Sequence, residues 1–132
     1  MNNTFPLVYA VGFLLYTAAT AGAADAKAKL AKRCYDLTGQ RNPVFFQVHR
    51  ESQFEDTQRL LKLLASQPHH SQPVIIYGPD PHSTAIATQA ALSLLPAGSL
   101  RGAVLICSVG PKHEYLQQTA HATGAKLFIE PP

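Results

Sequence analysis

Four short apolar runs, VFFQVH (44–49), VIIY (74–77), AVLICSV (103–109) and KLFIE (126–130), alternate with stretches of helical spacing. Nothing else in the chain restricts the fold so strongly. Each run has strand length, and VIIY and AVLIC are apolar at consecutive positions rather than alternate ones. A strand that is apolar on both faces belongs in a parallel sheet covered by helices on both sides. Parallel neighbours need crossovers, and the intervening stretches are long enough to supply them as helices with right-handed connections.

The helices follow from spacing and punctuation. Residues 24–37 are rich in Ala and Lys, lack Gly and Pro, and stop near Gly39. Asn42-Pro43 then breaks the chain. Phe54, Leu61 and Leu64, flanked by Leu60 and Leu63, form a stripe that runs to about Ser66. Ser52 and Glu55 before it have the spacing of a capping box. The loop PHHSQP (68–73) follows, with His69 and His70 expected in solvent. In residues 82–95, Ile86, Ala90 and Leu94 share one line, and Ala87, Ala91 and Leu95 share the next, with Pro96-Ala-Gly98 as the stop. Gly110-Pro111 turns into KHEYLQQTAHAT (112–123), closed by Gly124. The α-β-α-β-α-β-α-β order predicts a single α/β domain over 24–132. It is a small three-layer Rossmann-like or flavodoxin-like fold with about four mostly parallel strands, preceded by an N-terminal helix.

No Asp, Glu, Lys or Arg occurs before Asp25. Phe5 to Thr17 is strongly apolar, and TAATAGAA follows. Ala21-Gly22-Ala23 fits the small-x-small rule, so residues 1–23 read as a signal peptide cut after Ala23, and the domain as periplasmic or secreted. The segment has no basic residue ahead of its apolar run. A retained membrane anchor is therefore the competing reading. Residues 5–24 approach the roughly 20 residues of a span, and Lys27, Lys29, Lys32 and Arg33 follow at once, which would hold the domain in the cytoplasm. A buried helix is the third reading. Thr, Gly and repeated Ala suit a cleavage region better than a span and set this order. Export would let Cys34 and Cys107 form one disulfide, worth about 4 kcal/mol in the chain-entropy model. Two buried thiols are the alternative. There is no C-x-x-C motif.

The net charge is +3, and only 14% of residues are charged. The basic excess is spread out, without interleaved aromatic residues, which speaks against nucleic-acid binding.

In a parallel sheet the strand-to-helix loops all leave at the C-terminal edge, and ligands bind there at the topological switch point. The first loop carries His49, Arg50, Glu51 and Ser52. The second carries Gly78, Asp80, His82, Ser83 and Thr84. The third carries Ser108, Gly110, Lys112 and His113, and Glu130 follows the last strand. The ligand-binding candidates are His49, Arg50, Asp80, His82, Ser83, Thr84, Ser108, Lys112 and His113. Each also has a structural account. Asp80-Pro81 suits an N-cap followed by Pro at the first helical position, and Gly110-Pro111 suits a helix start.

Three chemistries compete at that edge. The run from Val74 through Gly78-Pro-Asp80-Pro-His82 into a small-residue helix is similar to the nucleophile elbow of α/β-hydrolases, over about 30 residues. The resemblance implies Asp80 at the nucleophile position. Pro81 departs from it, because it lacks the N–H an oxyanion hole needs. His82 also stands where the second Gly belongs. Anion binding is the second chemistry: helix N-termini offer free N–H groups, and Ser83, Thr84, Arg50 and Lys112 add donors. The turn is neither G-x-x-x-x-G-K-[ST] nor G-x-G-x-x-G. The third is zinc held by His49, His82 and His113 with Asp80 or Glu51, which no spacing requires.

No nucleophile-base-orienter set, metal motif or cofactor motif is complete. The sequence therefore predicts an exported accessory, binding or assembly protein of the cell envelope, without a cofactor or its own catalysis. Its partners are a protein of the envelope and, second, a small anionic ligand. Tyr77, Tyr115 and Phe128 are the aromatic residues that can edge a contact. The competing expectation is a hydrolase-like enzyme acting on phosphate esters or acyl groups at the same edge.

Overall fold

Four strands form one sheet in the computed structural model, which describes residues 25–66 and 72–132. The signal-peptide reading of 1–23 and the His69-His70 pair lie outside the described residues. Helix α1 spans 25–38. It is followed by β1 (Val44–Gln47), α2 (Gln53–Ser66), β2 (Val74–Tyr77), α3 (Pro81–Ser93), β3 (Val104–Ser108), α4 (Leu116–Thr123) and β4 (Lys126–Glu130). All strand pairs are parallel, with Val44 opposite Val74, Ile75 opposite Ile106 and Cys107 opposite Ile129. This is a small α/β Rossmann-like domain.

The strand order is β1-β2-β3-β4, the order of the sequence. Each crossover steps the same way across the sheet, and right-handed connections then put every connecting helix on one face. The packing agrees. Leu60 and Leu64 of α2, Ala87 and Ala91 of α3, and Leu116 and Ala120 of α4 share a core with Ile76, Leu105 and Cys107. On the other face Leu30 and Cys34 of α1 cover Ile75 and Ile106, with Phe45, Tyr77 and Phe128 around them. The three layers are therefore unequal, three helices against one. A doubly wound sheet has a switch point where the chain direction across the sheet reverses. This order has no reversal, so the expected switch point is absent.

That geometry also separates the cysteines. Adjacent residues in a strand face opposite ways. Ile106 faces α1, so Cys107 faces the three-helix side, while Cys34 sits on α1 itself. Both are free and buried, and the expected disulfide is not formed because the sheet lies between them.

Helix α3 is the middle helix and packs against both α2 and α4. Its inward surface is mostly small, with Thr84, Ala85, Ala87, Thr88 and Ala91 buried beside one large residue, Leu92, while Ile86 and Leu94 are exposed. Of the two lines expected over 82–95, the Ala87–Ala91 line is the core. Small residues let the helix sit close to the sheet between its neighbours. Helix α2 is rotated from expectation in the same way. Phe54 is 73% exposed, and the buried stripe is Asp56, Leu60 and Leu64. Helix α4 begins at Leu116, after a short 3-10 turn over Pro111–His113, and ends at Gly124 with φ 90°.

Candidate functional site

The edge is built by backbone before any side chain takes part. The N–H of Val48 donates to the Tyr77 carbonyl at 2.8 Å, extending the β1–β2 ladder into the first loop. A Cβ on Gly78 would clash with the Val48 carbonyl oxygen and sit 2.7 Å from Thr84 Oγ1. Glycine there lets the second loop lie against the first. Gly110 adopts φ 84°, and its N–H donates to the Glu130 carbonyl at 2.9 Å, tying the third loop to the end of β4.

In the second loop Asp80 is the N-cap of α3, with Pro81 at the first helical position. Its carboxylate accepts from the His82 N–H at 3.1 Å and the Ser83 hydroxyl at 2.9 Å. The Ser83 hydrogen bond leads the causes that hold the Asp80 carboxyl below its ordinary value, and the nearby Arg50 charge adds to it. The Asp80 carbonyl accepts from the Thr84 N–H at 3.0 Å and the Thr84 hydroxyl at 2.9 Å. Asp80 thus occupies the donors that an anion at this helix start would need. Its backbone is extended, φ −115° and ψ 104°, without the strain of a nucleophile elbow. The hydrolase-like form of this stretch is a capped turn.

In the first loop the organising group is Asp56, which sequence reading missed. Its side chain is fully buried. It accepts from the His49 N–H at 2.8 Å and the Ser52 hydroxyl at 2.9 Å, and it is paired with Arg59. Burial alone would raise its pKa. The bonds from His49, Arg59 and Ser52 outweigh burial and hold the carboxyl below its ordinary value. The expected Ser52–Glu55 box is replaced: Ser52 ends a 3-10 turn over Arg50–Ser52 and donates to Asp56. The signal was present in the sequence, because Asp56 stands four and eight residues before Leu60 and Leu64, on their stripe. The His49 imidazole is 44% exposed, with Nδ1 3.8 Å from Asp56 Oδ2.

The second and third loops enclose a cleft of about 510 Å³, lined by Asp80, His82, Val109, Lys112 and His113 with prolines between them. The rings of His82 and His113 lie 6.2 Å apart. His113 is also edge-on to Tyr115 at 5.7 Å, with 3.3 Å between Nδ1 and the phenol oxygen. Ser108 is not part of this cleft. It faces α1, donates its hydroxyl to the Pro131 carbonyl at 2.7 Å, and lines a second cavity of about 450 Å³ with Asp25, Lys29 and Arg33. There Arg33 Nε contacts Glu130 Oε1 at 2.9 Å, a pair no sequence spacing announces.

The nine expected residues therefore divide. His82, Lys112 and His113 meet in one cleft beside Asp80. His49 and Arg50 belong to the Asp56 turn, Ser83 and Thr84 are buried cap partners, and Ser108 faces the other side. Among the described residues no three His, Cys, Asp or Glu side chains are grouped to hold a metal ion, so the weighed zinc arrangement of His49, His82 and His113 is not formed. No described helix is long and apolar enough to cross a membrane. No protein-family model, curated protein or solved structure matches the chain.

Proposed function

We propose that the chain is an exported binding or assembly domain of the cell envelope that performs no chemistry of its own. Its contact surface is the cleft between the start of α3 and the Gly110–His113 turn. One observation carries the reading. The hydroxyls of Ser52, Ser83, Thr84 and Ser108 each donate to a carboxylate or carbonyl within the fold, and none donates to a histidine. A serine or threonine nucleophile needs a base at its hydroxyl. The edge instead presents an open cleft of a size that suits recognition. The N-terminal composition supports export, and a protein of the envelope is the partner proposed for that address.

A hydrolase-like reading retains one favourable feature, the His49–Asp56 pairing. At 3.8 Å it exceeds a hydrogen bond, and the Ser52 hydroxyl beside it donates to the carboxylate rather than to the imidazole. It remains the lesser reading.

The test has two parts. The intact mass of the full-length product from a bacterial host should match a chain starting near Ala24; an uncut chain would remove export. A photocrosslinker at position 111, exposed on the cleft wall, should then capture a discrete envelope partner that the same probe at Lys62, exposed on α2, does not. Equal capture at both positions would reject this surface.

A further inference from the structure

We infer that the cleft between α3 and the Gly110–His113 turn recognises an oxyanion group, a carboxylate or a phosphate, carried by the ligand it binds. The inference rests on the binding reading above and names the chemistry of the same site.

Among the described residues, three of the four polar side chains in its lining can donate. His82 and His113 each present an imidazole, and Lys112 presents an ammonium. Among the described residues the one acid in the lining is Asp80, which caps its own helix. Its carboxylate already accepts from the His82 N–H and the Ser83 hydroxyl and lies near Arg50. The helix start contributes no donor for the same reason, so recognition falls to the three side chains. His113 is oriented by Tyr115, whose phenol oxygen is 3.3 Å from Nδ1. If that phenol donates, Nδ1 accepts and the proton of a neutral ring is carried on Nε2. The two rings are 6.2 Å apart, centroid to centroid. That spacing can bring one N–H from each ring to different oxygens of a single group. Pro81, Pro111 and Pro132 wall the cleft. The prolines fix the backbone on either side of the donors. An ammonium and imidazoles opposite a compact anion make charge-assisted hydrogen bonds, stronger than neutral ones.

The test uses the full chain in the processed form that a bacterial host yields. Imidazole and backbone resonances are followed by NMR during separate titrations with sodium phosphate and sodium acetate, with sodium chloride at matched ionic strength as reference. The expected result is saturable shifts at His82, Lys112 and His113 with at least one oxyanion and none with chloride. Lys112→Ala and His113→Ala should each weaken the response about tenfold, and Lys62→Ala should leave it unchanged. Phosphate alone would mark a phosphate-bearing ligand, and acetate alone a carboxylate-bearing one. Either supports the inference. Shifts that fail to saturate, that match chloride, or that survive both variants would overturn it. Partner capture at position 111 without any oxyanion response would sink the oxyanion chemistry and leave the binding surface standing. An oxyanion response without capture would do the reverse.

Discussion

Gly78 is the residue with least freedom at the edge. Any side chain there meets the Val48 carbonyl oxygen, part of a backbone that cannot swing away, and Thr84 Oγ1. Gly78→Ala should lower stability by about 3 kcal/mol, the upper end of overpacking costs, read as a lower urea midpoint. Adding Thr84→Ala should recover little, because the carbonyl clash remains. Full recovery would mean that the threonine, and not the backbone approach, requires glycine. The cysteines make a second residue-level prediction. Burial pushes the Cys107 thiol up to about 12, against a smaller opposing effect of its contact with Thr88. The reactive thiolate is therefore scarce at neutral pH. Native protein should take up no thiol reagent, and denatured protein should take up two equivalents without a reductant. A reductant requirement would restore the disulfide.

Helix α2 owes its placement to an acid that a hydropathy reading discards. On the apolar stripe of a helix, an Asp looks like an interruption. The structure turns it into a junction, because the end of β1 brings the His49 N–H and the Ser52 hydroxyl to it. Arg59 is 65% exposed, so its charge is screened by water and contributes little. The two donors from the loop matter more. Asp56→Ala would leave them without an acceptor and should cost roughly 2–3 kcal/mol, measured by urea unfolding. Because the folded carboxyl is held below its ordinary value of 3.8, the unfolded chain binds the proton more readily. The stabilisation is present above that value and is lost as pH falls through the lower folded one. Asp56→Asn should therefore flatten the acid limb of the stability–pH curve; an unchanged limb would assign the acid sensitivity to other groups. Helix α3 teaches the complementary lesson. Periodicity located both of its lines, 86–90–94 and 87–91–95, but could not rank them. The choice depends on a neighbour at each flank, which favours small residues inside and leaves Ile86 and Leu94 exposed.

Element types and the parallel sheet were legible because continuous apolar runs separated by helix-length segments admit few other architectures. The edge loops were legible as a consequence, but that His82, Lys112 and His113 would share a cleft apart from His49 and Ser108 was not. Strand order was not, because nothing in VIIY or AVLIC specifies which neighbour either strand takes. Order then decides several things at once: that α2, α3 and α4 share one face, that Cys34 and Cys107 are parted by the sheet, and that Ser108 turns toward α1. It also makes α1 the only described helix on its face. The Arg33–Glu130 contact is exposed on the arginine side and adds little. Leu30 and Cys34 over Ile75 and Ile106 supply the attraction. Leu30, at the rim of that cluster with 9% exposure, should cost about 2 kcal/mol when changed to Ala. Removing residues 1–38 is a larger change. It returns Ile75 and Ile106 to water, at about 1.5–3 kcal/mol for each large side chain, together with the packing of Leu30 and Cys34. That loss is comparable with the entire stability of a small domain, about 5–15 kcal/mol. The shortened chain should keep much of its far-UV helical signal, since three helices still cover the opposite face. It should also bind a hydrophobic dye and lose its sharp thermal transition. A shortened chain that melts as cooperatively as the full one, without dye binding, would show that the sheet is held by the three-helix face alone.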